Sequence, residues 1–105
     1  MLRVYERMLE VLRLLPPVMA QIEKHDRDLG NQLRRAASSV SLNLAEGFGS
    51  VKGTRNTRFR TALGSARETG ACLDVAMALG YVGEIEPVLL AKLDEVRAML
   101  ATMVR

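Results

Sequence analysis

Residues 31–50 read NQLRRAASSVSLNLAEGFGS, and the reading of this stretch decides the fold. Leu33, Ala37, Val40, Leu44 and Phe48 recur at intervals of three and four, one apolar stripe of an α-helix. The opposite side of that helix carries Ser38, Leu42, Ala45 and Gly49, where a solvated face would hold long charged side chains. A helix that is small or apolar on both sides is generally buried on both sides. Between the two sides runs a polar seam of Ser39, Asn43, Glu46 and Ser50. A carboxylate close to two packed faces needs partners. Arg60 and Arg67, seven apart on one side of the following helix, are the expected ones.

Toward the C-terminus, GSVKGTR reads as a basic, Gly-bearing loop. A third helix is predicted from about 55 to 79, with Phe59, Leu63, Ala66, Gly70, Leu73 and Met77 facing inward. Gly64, Ala71, Val75 and Leu79 lie behind that stripe, which repeats the two-sided pattern. Gly80 is a natural C-terminal cap and Pro87 suits the first turn of a fourth helix. The core stripe of that last helix is Leu90, Leu93, Val96, Leu100 and Met103.

Toward the N-terminus, Asp26 suits the N-cap of the quoted helix. Ahead of it, Tyr5, Met8, Leu12, Leu15, Met19 and Ile22 form one stripe from about 2 to 24 that continues in register through Pro16-Pro17. The reading is one kinked helix, the alternative two short helices with a break at Leu15. Strand signals are absent, with no alternating β-branched run and no Asn-Gly hairpin. The class is therefore all-α. Four helices with short connections predict an antiparallel up-down-up-down four-helix bundle, one domain spanning 1–105. A single bundle cannot bury the backs of both middle helices. The pattern accordingly predicts a homo-oligomer with Ser38, Leu42, Ala45, Gly64, Ala71 and Val75 at its interface.

Composition narrows the function. Apolar residues make up 49% of 105, so a folded core is expected. No apolar run reaches the roughly 18–20 residues of a membrane span. The N-terminal MLRVYERMLEVLRLL threads charges through its apolar positions, unlike a secretory signal. The expected location is cytoplasmic, away from membranes. Cys72 and His25 are the sole residues of their types, which excludes an internal disulfide and zinc-ligand spacing. Cys72, within ACLDVAMAL, reads as a small buried hydrophobe, and His25 as a solvated turn residue. GFGSVKG lacks the GK[ST] ending and the preceding strand of a phosphate loop. With no carboxylate pair in an evident cleft, no catalytic residue, metal or cofactor is expected, and the chain reads as a non-enzyme.

Charge is unevenly spread. Residues 27–67 hold eight basic side chains against Asp28 and Glu46, whereas residues 68–105 hold three basic and six acidic ones. Twelve of the fifteen cations are Arg, the side chain suited to bidentate phosphate or carboxylate contacts. Arg34, Arg35, Lys52, Arg55, Arg58, Arg60 and Arg67 are the candidate phosphate contacts for structured RNA or DNA. Against this reading stands an aromatic content of 4%, which leaves few platforms for base stacking. The competing reading is a protein-interaction scaffold without nucleic-acid contact.

QLRRAASSVSLNLAEGFG followed by RFRTALGSARETGACLDVAMALGYV resembles the four-helix-bundle family of 23S ribosomal RNA intervening-sequence proteins. The matching positions are Gln32, Arg35, Ala36, Ser39, Asn43, Ala45, Glu46, Gly47, Gly64, Ser65, Glu68, Leu79, Gly80 and Tyr81. Helix one departs from the pattern, with an unusual double proline and a longer connection between Pro17 and Gln32. The resemblance implies a cytoplasmic, non-enzymatic bundle in which Ser39, Asn43, Glu46, Gly47 and Glu68 form the structural motif. It also implies a ring-shaped homo-oligomer, a pentamer in such bundles. Relatives include the accessory variability determinant of diversity-generating retroelements, which binds nucleic acid and partners a reverse transcriptase.

Overall fold

Pro16 and Pro17 carry no amide hydrogen, so the carbonyls of Leu12 and Arg13 lose their helical donors and the first rod is interrupted. In the computed structural model, which describes residues 2–105, five helices result. They are α1 (Leu2–Leu14), α2 (Pro16–His25), α3 (Arg27–Phe48), α4 (Lys52–Ala78) and α5 (Pro87–Met103). The single kinked helix expected over 2–24 is thus two helices divided at Leu15. The division is slight: Leu15 keeps helical dihedrals, φ −76° and ψ −32°, and its carbonyl accepts from Met19 N at 2.9 Å. Leu15 and Ile22 are both buried, so the apolar register does run through the prolines. The fully inward positions of α1 are Val4, Met8 and Val11, while Tyr5 and Leu12 flank them, a rotation of the expected stripe.

One extended residue, Asp26 (φ −153°, ψ 98°), separates α2 from α3. Its carboxylate accepts from Leu29 N at 2.9 Å, the predicted cap, which contributes about 1 kcal/mol. The connection from α3 to α4 is shorter than expected. The predicted GSVKGTR loop shrinks to 49–51, because Lys52, Gly53 and Thr54 already belong to α4. Arg55 stabilises this tight corner, donating Nε to the Gly47 carbonyl and Nη2 to the Ser50 carbonyl, each at 3.2 Å.

The far end of α4 closes as the sequence predicts. Gly80 sits at φ +75°, with Gly80 N bonded to Met77 O at 3.1 Å and Tyr81 N to Ala76 O at 2.9 Å. That is a Schellman closure, and only glycine adopts its left-handed backbone without strain. Tyr81 then stacks on His25 at the end of α2, rings 5.2 Å apart and nearly parallel. His25, expected to be merely solvated, thereby ties α2 to the α4–α5 connection.

α3 lies along α4 in the most extensive packing of the molecule, α4 packs on α5, and α5 on α1. α1 and α2 both return to α3, closing the circuit around one apolar core. Leu33, Ala37, Val40 and Leu44 of α3 are fully buried there, as their spacing predicts. On α4, Phe59, Leu63, Ala66, Gly70 and Leu73 face inward, but Met77 is 37% exposed and Ala76 takes its place. Each fully buried large aliphatic contributes about 1.5–3 kcal/mol.

Candidate interaction surfaces

The polar seam of α3 is a connected chain of hydrogen bonds reaching onto α4. Asn43 Nδ2 donates to the carbonyl and the hydroxyl of Ser39, at 2.9 and 3.0 Å. Ser65 Oγ of α4 donates to Ser39 Oγ at 2.8 Å. Arg58 Nη1 donates to Asn43 Oδ1 at 3.4 Å, and Arg58 Nη2 pairs with Glu46 Oε2 at 2.9 Å. Farther along, Gln32 Nε2 donates to Glu68 Oε2 at 3.5 Å. Residue numbers rise on α4 as they fall on α3, so the two helices run antiparallel.

This geometry corrects the expected partners of Glu46. Arg58 is the partner, not Arg60 or Arg67. Arg58 and Ser65, seven apart, share the side of α4 that faces the seam, whereas Arg60 and Arg67 lie on its back. The spacing of seven was legible for both pairs; which pair faces α3 depends on the rotation of α4 about its axis. Glu46 is 59% exposed on its side chain, so the pair stabilises by about 0.2–1 kcal/mol. Gly47, beside it, has a packing role. A Cβ there would lie 2.5 Å from Phe59 Cε1, so glycine lets the Phe59 ring close on α3.

The seven candidate cations are not one patch. Arg34 pairs with Glu23 at 3.2 Å, Arg55 holds the α3–α4 corner, Arg58 pairs with Glu46, and Arg60 donates to the Arg105 carbonyl. Among the described residues, Arg35, Lys52 and Arg67 have no ion-pair partner. Arg35 lines an open groove of about 610 Å³ between α3 and α4, with Asp28, Gln32, Ser39, Ser65 and Glu68. The lining is mixed in charge, two carboxylates against one guanidinium, and offers no concentrated positive field.

The backs of α3 and α4 are exposed and carry apolar and small residues, with Arg60 and Arg67 also on the back of α4. Leu42 is 65% exposed, Val75 44% and Leu79 57%. Ala45 and Gly49 of α3 and Gly64 and Ala71 of α4 are exposed beside them, while Ser38 is half-buried.

Chemical groups are sparse. Cys72 is buried, and burial, with the nearby Glu68 carboxylate second, pushes its thiol above the ordinary value, which disfavours the reactive thiolate. Among the described residues, no cluster of His, Cys, Asp or Glu is placed to hold a metal ion. No helix among them is long and apolar enough to cross a membrane.

The fold is shared with a solved structure. A protein of unknown function from the S23 ribosomal protein family of Bacteroides thetaiotaomicron superimposes with a TM-score of 0.82 at 18% sequence identity, over 97% of this chain and 98% of that one. At that identity the likeness is one of fold. No curated protein matches the sequence. The family model of the 23S rRNA-intervening sequence protein matches residues 1–102, nearly the whole chain. On that match, the chain belongs to the 23S rRNA-intervening sequence protein family.

Proposed function

We propose that the protein is a non-enzymatic helical scaffold that assembles with copies of itself through the backs of α3 and α4. In this reading α1 and α2 act as one kinked rod, so that four rods form an antiparallel up-down-up-down bundle. The observation that carries it is Leu42, 65% exposed beside Ser38, Ala45 and Gly49 on the back of α3. Together with Val75 and Leu79 on the back of α4, it is the apolar surface that a packing partner would cover. The face on α3 and the face on α4 are different surfaces, so their pairing is head-to-tail, which forms a ring when the rotation per subunit closes. The family resemblance seen in the sequence favours five subunits.

Sedimentation velocity from dilute to concentrated protein tests this. The wild type is expected to sediment as a discrete oligomer, and Leu42→Glu as a monomer of unchanged helicity by circular dichroism. A wild type that is fully folded and monomeric throughout overturns the reading.

A second reading, nucleic-acid binding by the assembled ring, is favoured by Arg35, Lys52 and Arg67, the cations without ion-pair partners. Repetition around a ring would multiply them into a phosphate-binding footprint with steep salt dependence and little sequence preference. Mobility-shift titrations with structured RNA and duplex DNA at low and high salt decide it. An intact oligomer that shifts neither at low salt leaves a protein as the partner of the scaffold.

A further inference from the structure

At the end of the molecule where α3 turns into α4, a groove of about 700 Å³ runs between the corner and the last turn of α5. Its rim carries Lys52, Arg55 and Arg105, and no Asp or Glu lines it. Arg55 spends two N–H groups on main-chain carbonyls, which positions the guanidinium without neutralising it. Lys52 has no ion-pair partner among the described residues. Phe59 forms a buried apolar floor and Met103 a half-buried one, and Val51 stands 77% exposed at the edge. The wall toward Arg105 is held in place: Arg105 N donates to Asn56 Oδ1 at 2.9 Å, and Arg60 donates to the Arg105 carbonyl.

We infer that this groove binds a small amphipathic anion, a free carboxylate carrying a medium-length apolar chain. No Asp or Glu side chain lines the groove against its three cations, which favours a negative head group over a cationic one. The apolar floor demands a body that a bare inorganic anion or a bare phosphate backbone lacks. The volume lies within the roughly 300–1,000 Å³ usual for small-molecule sites. Concavity favours a single free molecule over a bilayer surface. The site is separate from the backs of α3 and α4, and its occupancy does not depend on the scaffold reading.

Isothermal titration of the full chain with monomeric decanoate tests the inference, with acetate and decyltrimethylammonium as probes of head and tail and anionic vesicles as a separate arm. Decanoate is expected to saturate at one per chain, with acetate and the cationic amphiphile weaker by about tenfold or more. Lys52→Glu is expected to weaken decanoate by about tenfold. Lys52 is exposed in the first turn of α4, where an acidic side chain suits the helix dipole, so this variant keeps the fold. Met103→Ser weakens binding through the floor instead, and Lys24→Glu at the opposite end leaves it unchanged. Four results overturn the site: no saturable decanoate binding, equal binding of the cationic amphiphile, wild-type affinity in Lys52→Glu or Met103→Ser, and association with vesicles alone.

Discussion

Gly47 and Ser41 show how single atoms are accounted for in α3. A methyl group on Gly47 would sit 2.5 Å from Phe59 Cε1, 2.8 Å from Cδ1 and 3.3 Å from Arg58 Cβ. Relieving that contact would pull the buried Phe59 ring from its packed position, and overpacking of about 1–3 kcal/mol outweighs the helix-propensity gain of about 1 kcal/mol from alanine. Gly47→Ala is expected to lower the urea midpoint. An unchanged midpoint would show that the Phe59 contact is slack. Ser41 presents the opposite case, a buried hydroxyl with no hydrogen-bond partner. Its desolvation is uncompensated, so Ser41→Ala is expected to stabilise by about 1 kcal/mol, read from the same denaturation curves. A loss of stability would mean that the hydroxyl has a partner in solution.

Between elements, the clearest electrostatic clamp joins α1 to α5. Lys92 Nζ donates to Glu10 Oε1 at 2.7 Å, Arg7 Nη1 approaches Glu10 Oε2 at 3.0 Å, and Arg7 Nε lies 3.0 Å from Glu95 Oε2 without the alignment of a hydrogen bond. The Lys92 hydrogen bond chiefly, opposed by partial desolvation and aided by the charges of Arg7, Lys92 and Arg13, holds the Glu10 carboxyl below its ordinary value. The folded state therefore binds that proton less readily than the unfolded chain. The contribution is present above the unfolded carboxylate range and is lost as pH falls through the lower folded value. Urea unfolding at neutral pH and at pH values descending below about 4 should show this loss, and Glu10→Gln should make it shallower. Identical acid limbs for the two proteins would remove Glu10 from the account.

At the scale of the whole molecule, head-to-tail assembly makes a prediction that a symmetric dimer does not. Leu42→Glu spoils the α3 face and leaves the α4 face intact; Val75→Glu does the reverse. Each variant alone is expected to be monomeric. Mixed, the two should form a heterodimer that cannot grow, since one good α3 face meets one good α4 face and both remaining faces are blocked. Light scattering coupled to size exclusion distinguishes that heterodimer, formed only on mixing, from the homodimers that each variant would form alone if each face paired only with itself.

Where a helix and its inward stripe were legible in the sequence, they rest on local chemistry; the break at Leu15, the rotated α1 stripe and the exposed Met77 were not. The α3 stripe, the Asp26 cap, the Gly80 closure and the Pro87 start follow from side-chain spacing, a capping carboxylate, a left-handed glycine and a ring lacking an amide hydrogen. The seam residues Ser39, Asn43 and Glu46 were legible for the same reason. Their partners were not. Whether Arg58 or Arg60 meets Glu46 depends on how α4 is rotated against α3, and that rotation is set by Phe59 closing on Gly47, a contact between residues twelve apart in sequence on different helices. Nor could spacing show that Arg34, Arg55 and Arg60 are already engaged, or that the α3–α4 corner and the end of α5 enclose a basic groove. Local periodicity determined which residues face inward; only the packing of helix against helix decided which polar groups find each other and which remain for something else to bind.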